Sequence, residues 1–252
     1  MPSLLPRSLL GGVVVGHADD PDVLWKLVHD HCVPGQLHGN PSPCALVDVE
    51  HGYALLKDRR GAAQFLVIPT AKITGIEDPA ILAPDAPNYF ALAWRARKQV
   101  AARLKLKRAL PRDAVSLGIN ATTGRQQNQL HIHVDCIKAT VRAALHEAGA
   151  TIGPQWAPLP VLLAGHPYQA MRVAGKDLDA VNPFRLLATG MPGAAADMGH
   201  HTLVVTGTTM PDGQPGFILL DDHTNSASGD FASGEELQDH ACNGLSARRP
   251  FR

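Results

Sequence analysis

Gln127-Asn128-Gln129-Leu130-His131-Ile132-His133-Val134-Asp135-Cys136 reads as an extended segment with two chemically different sides. Side chains on a strand alternate, so His131, His133 and Asp135 share one face while Ile132, Val134 and Cys136 share the other. The apolar side is suited to a core. Two imidazoles and a carboxylate in one row are costly to bury, because each needs its own hydrogen-bond partner, so the row points to chemistry. The first chemistry is nucleophilic attack on phosphorus by His133. A neutral imidazole is available near pH 7, and its phosphoramidate adduct can be broken by water, which divides the reaction into two easier steps. In that reading His131 fixes the attacking tautomer. Gln127 and Asn128 donate hydrogen bonds to phosphate oxygens, where negative charge must be held during displacement.

Two other chemistries compete for the same row. The pattern HxHxD resembles the opening of the metallo-β-lactamase-type HxHxDH motif, which implies metal ligation. Cys136 stands where that motif has its last histidine, and His166, His200, His201 and His223 are the scattered downstream ligands available. Alternatively Cys136 is a nucleophile beside a histidine, although alternation turns it away from the histidine row. His29, His31, His38 and His51 share no metal-site spacing on one element and read as surface residues. His200 and His201 diverge if extended.

Outward from this segment the chain has α+β character. Ala114 to Asn120 reads as a strand, followed by a polar loop from Ala121 to Gln127 and a second strand from Gln129 to Ile137, the two being antiparallel neighbours. Gly52 to Lys57 and Gln64 to Pro69 form a hairpin around Asp58-Arg59-Arg60-Gly61. Between these pairs, from Asn88, the residues Phe90, Trp94, Val100, Ala101 and Leu104 keep to one helical face. The basic run Arg95 to Arg108 falls on the opposite, solvated face. Downstream, Thr140 caps a helix through Ala148, with Gly149 at the left-handed position that would end it.

Pro154 to Pro160 suggests a connection, which divides a catalytic half at 45–150 from a C-terminal subdomain at 151–252. In the latter, Tyr168 to Val173, Thr202 to Thr208 and Phe217 to Asp221 read as strands, while Pro183 to Ala188 and Gly234 to Cys242 read as helices. They form a second α+β layer. At the other end, Asp19, Asp20 and Pro21 start a short amphipathic helix toward Cys32.

With 23 Lys+Arg against 23 Asp+Glu, no bulk charge favours binding along a nucleic acid. Residues 1–18 are a leader or a truncated anchor stub, since the apolar stretch from Leu9 to Gly16 falls well short of the roughly 20 residues that span a bilayer. The four cysteines have no C-x-x-C spacing, which disfavours a zinc ribbon. Cys32 and Cys44 flank a loop rich in Pro and Gly that a disulfide would restrain, with free buried thiols as the alternative.

At the histidine row the chain resembles the histidine-triad (HIT) superfamily, in which histidines alternate with hydrophobic residues. Phe65-Leu66-Val67-Ile68-Pro69 looks like that family's central strand. The order also agrees: strand, strand ending in proline, long helix, strand ending in Asn120, polar loop, histidine strand. This alignment places His131 and His133 at the first and second histidines, His133 being the nucleophile, and Asp135 where a third histidine is usual. The combination Asn120-x-x-x-Gly124-Arg125-x-Gln127-Asn128-Gln129-Leu130-His131-Ile132-His133 is similar to the bacterial CDP-diacylglycerol pyrophosphatase family. So are Leu56-Lys57-Asp58 and Gln238-Asp239-His240-Ala241-Cys242.

The resemblance implies a HIT-like antiparallel sheet with packed helices, extended by a C-terminal α+β half. It implies hydrolysis of CDP-diacylglycerol to CMP and phosphatidate through a nucleotidyl-histidine, with no cofactor, at the periplasmic face of a bacterial inner membrane. The partners expected are a nucleotide-linked phospholipid and the membrane surface. Small HIT proteins often pair two units, and here the C-terminal half is an alternative partner within one chain. The substrate-binding residues implied are Asn120, Gln127, Asn128, Gln129, Lys57, Arg125 and Asp58, the last on the ribose diol. Asp58 as a turn residue and Lys57 as a solvated lysine are the plainer alternatives. Asp135 either orients a histidine or accepts backbone donors at the strand end. A non-catalytic nucleotide-binding module using the same pocket is the competing class.

Overall fold

Nine antiparallel strands run through the molecule in the order β1-β2-β3-β5-β4-β8-β9-β7-β6, in a computed structural model that describes residues 20–107 and 109–245. The expected leader at 1–18 lies outside the described residues. The strands are β1 Leu46–Asp48, β2 Tyr53–Lys57, β3 Phe65–Pro69, β4 Val115–Ile119, β5 Ile132–Cys136, β6 Ala157–Pro158, β7 Gln169–Ala174, β8 His201–Thr209 and β9 Pro215–His223. The expected α+β class and antiparallel pairing hold. The C-terminal strands do not form a second layer: β8 pairs with β4 through Ser116↔Thr206, Leu117↔Val205, Gly118↔Val204 and Ile119↔Leu203, so both halves share one sheet.

Alternation along the central strands sorts their side chains onto two covered faces. On one face Val67, Ile132, Val134, Leu117, Val205 and Leu219 meet the helix α3 at Tyr89–Arg103. Asn88 caps α3 by accepting the Ala91 N–H, as a residue with a short polar side chain does at that position. Its Trp94 meets Phe217 edge-on at 4.8 Å, and Phe90 meets Phe184, from the helix α5 at Pro183–Gly190, at 4.9 Å. Such aromatic pairs add about 0.5–1.5 kcal/mol to their burial. Arg95 ion-pairs with Asp179 in solvent, as the solvated-face reading requires, whereas Arg97 folds back over the Trp94 ring.

The opposite face is covered in two places. Ala54, Leu66 and Ile68 pack under an N-terminal helical segment, which runs as α1 Val23–Lys26, a π-helical stretch Leu27–Cys32 and α2 Val33–Leu37. Val204, Ile218 and Leu220 pack under α4 at Ala139–Glu147. Between these two apolar patches β5 and β4 present His133, Asp135, Ser116 and Gly118, which are register partners across the two strands. A polar strip therefore crosses the middle of the sheet. The C-terminal segment lies on it: a Cβ at Gly118 would meet the backbone of Gly234 at 3.3 Å and the Gln238 side chain at 3.4 Å. Glycine at 118 leaves room for that approach.

Several local expectations fail where long-range contacts outweigh propensity. Helix α4 starts after Lys138, not Thr140, because the Lys138 N–H is tied to the Leu237 carbonyl. Gly149 does not end it in a left-handed turn; Ala148–Thr151 continues as a 3-10 turn. Gly234–Leu237 is only one 3-10 turn, beyond which the chain stays irregular to Cys242. There a disulfide to Cys136 and a bridge between Gln238 and Ile137 hold it against the sheet. The regular part of β5 begins at Ile132, because Gln129 and Leu130 are bonded instead to Pro69, Ala71 and Ile73. At the N-terminus Asp20 does not cap the helix from the expected position, but accepts the Asp22 N–H and an ion pair from Lys26. A further helix, α6, spans Ala194–Asp197.

Candidate active site

His133 is buried on the polar strip with its imidazole held at one nitrogen. Nδ1 lies 3.2 Å from Glu235 Oε1 and 2.9 Å from Gln64 Nε2. Gln64 Nε2 also reaches Glu235 Oε1 at 3.3 Å and Gln238 Oε1 at 3.4 Å. Nδ1 is thus bordered by a carboxylate oxygen and by the Gln64 amide, which position the ring from that side. Nε2 is buried without a hydrogen-bond partner among the described residues. Burial first, and then the neighbouring His131, His240 and Arg60 charges, pull the His133 pKa well below the usual histidine range. The ring is neutral near pH 7, the form able to attack.

His131 stands beside it, the two rings meeting edge to face at 4.8 Å. Its Nδ1 donates to the Gln129 carbonyl at 2.6 Å, which fixes its tautomer. Burial lowers its pKa, opposed by that backbone bond. The expected sharing of a face by His131, His133 and Asp135 holds, but Asp135 touches neither histidine of the pair. Asp135 Oδ2 is 2.8 Å from Nδ1 of His240, and Oδ1 accepts the Cys136 N–H. Both roles open to it are present, and the histidine it orients is a third one.

His240 was not legible as a site residue, although its neighbourhood forms part of the quoted C-terminal pattern. Its bond with Asp135 raises its pKa, burial opposing; burial likewise raises that of Asp135, the His240 bond opposing. His240 is 38% exposed at the side chain, with Nε2 3.9 Å from Glu235 Oε1. Asp135, His240, Glu235 and His133 thus form a chain of acid and base groups that reaches solvent at His240. Glu235 was missed for the same reason as His240: nothing local in the sequence relates either residue to the histidine strand.

The remaining expected residues are distributed unevenly. Asn120 belongs to the site, donating to Glu235 Oε2 at 3.0 Å and accepting from the Glu235 N–H. Asp58 accepts the Arg60 N–H, as a turn aspartate does, but its charge also acts on His131 and His240. Lys57 bonds the carbonyls of Asp58, Arg60 and Gly61, so it clasps the turn. Burial lowers its pKa. Gln127 is turned away to the Leu24 N–H and the Asp20 carbonyl, and Asn128 is exposed with its N–H on Pro21. Gln129 is buried between the Pro69 and Ala71 carbonyls. Arg125 forms a two-point ion pair with Glu77. These four residues, expected at the substrate, here make contacts within the histidine strand's loop and its neighbours.

The two cysteine pairs are bonded, Cys32 with Cys44 as the loop composition suggested, and Cys136 with Cys242. A thiolate nucleophile at Cys136 is thereby removed. The metal reading of HxHxD also lacks its geometry, since no grouping of three ligand atoms within 4.8 Å among the described residues includes His131 or His133. A family model described as CDP-diacylglycerol pyrophosphatase matches residues 19–246. A Yersinia pestis protein named CDP-diacylglycerol pyrophosphatase is 44% identical over 222 residues, which cover 88% of this chain and 84% of that protein.

Proposed function

The chain belongs to the CDP-diacylglycerol pyrophosphatase family, and we propose that it hydrolyses CDP-diacylglycerol to CMP and phosphatidate through a covalent intermediate on His133. The observation that carries the intermediate is the Nε2 of His133, buried and unpartnered, on a ring whose other nitrogen is bordered by Gln64 and Glu235. In the first step Nε2 attacks the cytidine-side phosphorus, the P–O bond to the distal phosphate breaks, and phosphatidate leaves. In the second, water attacks the cytidylyl-histidine and releases CMP. Phosphatidate is a good leaving group near neutral pH, so protonation matters less than it would for an alkoxide. The His240 imidazolium, raised in pKa by Asp135, supplies positive charge and a proton to the departing oxygen. The neutral form left behind takes a proton from the attacking water. Glu235 stabilises the positive charge that develops on His133, as a carboxylate does for an attacking imidazole.

The order of elements from β2 to β5, with a polar loop before the histidine strand, supports reading this half as HIT-like. Paired cysteines at 32 and 44 and at 136 and 242 fit an oxidising compartment, which supports a location in the cell envelope facing the periplasm, close to the lipid that carries the substrate. No helix among the described residues is long and apolar enough to cross a membrane.

The test is mass spectrometry of protein mixed briefly with CDP-diacylglycerol and quenched without acid. CMP is expected on a peptide containing His133, and His133→Ala is expected to lose both the adduct and turnover. Wild-type turnover in that variant would end the proposal.

A further inference from the structure

Across the Gly234–Leu237 turn from the histidine site lies a second cluster of titratable groups. His166 Nδ1 is 2.9 Å from Glu236 Oε2 and 3.6 Å from Asp230 Oδ1. One ligand atom each from His166, Asp222 and Asp230 lie within 4.8 Å of one another. Tyr168 donates its hydroxyl to Glu236 at 2.7 Å. Asp222 and Asp230 are 3% and 1% exposed. Among the described residues no lysine or arginine pairs with Asp222, Asp230 or Glu236, and His166 is the only cationic partner.

Hydrogen bonding leaves this cluster incomplete. Asp222 Oδ1 accepts the His223 N–H and Asp230 Oδ1 accepts the Ala232 N–H, but Asp222 Oδ2 is buried with no partner among the described residues. An unsatisfied buried carboxylate oxygen is costly. We propose that His166, Asp222 and Asp230 form a divalent-cation site, with Glu236 bonded to the histidine beside it and Zn2+ the ion best matched to one imidazole among carboxylates. Ligand atoms around a tetrahedral zinc with N and O bonds stand roughly 3.3–3.6 Å apart, which the 3.6 Å separation of His166 from Asp230 matches. A cation would satisfy the orphan oxygen and neutralise three crowded acids. Burial and then the Asp230 charge push Asp222 up to about 7, in keeping with negative charge concentrated in one place.

The location gives the site a consequence. Glu235, beside His133, and Glu236 are adjacent on the same short turn, so an ion on His166, to which Glu236 is bonded, would anchor that turn from behind. The cation site itself does not depend on the hydrolase reading.

Isothermal titration of chelator-treated full-length protein with zinc chloride tests it. One ion per chain is expected, with a rise in melting temperature. Asp222→Asn and His166→Ala should each weaken binding at least tenfold; the second variant changes a half-exposed residue, so it keeps the test valid should the first fail to fold. His200→Ala should leave binding intact, because Asp197, His200 and His223 are an exposed grouping that offers zinc a different place. No saturable binding to wild type would overturn the proposal and leave a proton shared between Asp222 and Asp230. Wild-type affinity in His166→Ala, or loss of binding in His200→Ala, would overturn it equally.

Discussion

The attack proposed at position 133 needs a neutral ring that presents Nε2; burial with nearby cations lowers its pKa, while Glu235 and Gln64 border Nδ1. Replacing Glu235 by Ala removes the carboxylate beside Nδ1 and its stabilising charge. A kcat loss of about 10²–10⁴-fold is expected, the range over which positioned acid–base groups act, with KM changed much less; stopped assays on CDP-diacylglycerol would check this. His240 sets the other limit. Since His133 is shifted down and His240 up, kcat/KM should fall on the acid side below the usual histidine value of about 6.5 and on the alkaline side above it. Asp135→Asn removes the first cause of the His240 shift, so the alkaline limb should move to lower pH while the acid limb stays. A profile in which both limbs move together would contradict these roles.

Among the elements, the C-terminal segment from Gly234 to Cys242 has little regular structure yet supplies Glu235, Gln238 and His240. Its position comes from side-chain and covalent ties: Gln238 Nε2 donates to the His133 carbonyl at 3.1 Å, the Asp239 N–H donates to the Cys136 carbonyl, and Cys242 is bonded to Cys136. The disulfide joins residues 106 apart, a closure worth about 2–5 kcal/mol. The double variant Cys136→Ser, Cys242→Ser should lose stability in that range by urea unfolding. Its activity should fall even where it remains folded, because His240 is no longer held against Asp135. Reduction of the Cys32–Cys44 bridge, which restrains the N-terminal helical segment, should affect stability more than turnover.

For the molecule as a whole, the nine-stranded sheet makes the two halves interdependent. A fragment ending at residue 150 would leave β4 without β8, exposing an unpaired strand edge and the apolar faces that Val204 and Val205 cover. Such a fragment should show no cooperative unfolding by circular dichroism and no hydrolysis, though it retains both His131 and His133. The sequence by itself determined what depends on neighbours along the chain: the strand alternation that puts His131 and His133 on one side, the 3.6-residue period of α3 with its Asn88 cap, and the hairpin around Asp58. Tertiary structure alone decided the companions of His133. Glu235 and His240 are brought to β5 by sheet order and a disulfide from about a hundred residues away. It also turned Gln127 and Gln129 inward as braces. No periodicity relates residues so far apart, and a glutamine serves equally well as a phosphate donor or a backbone clamp until the surrounding carbonyls are in place.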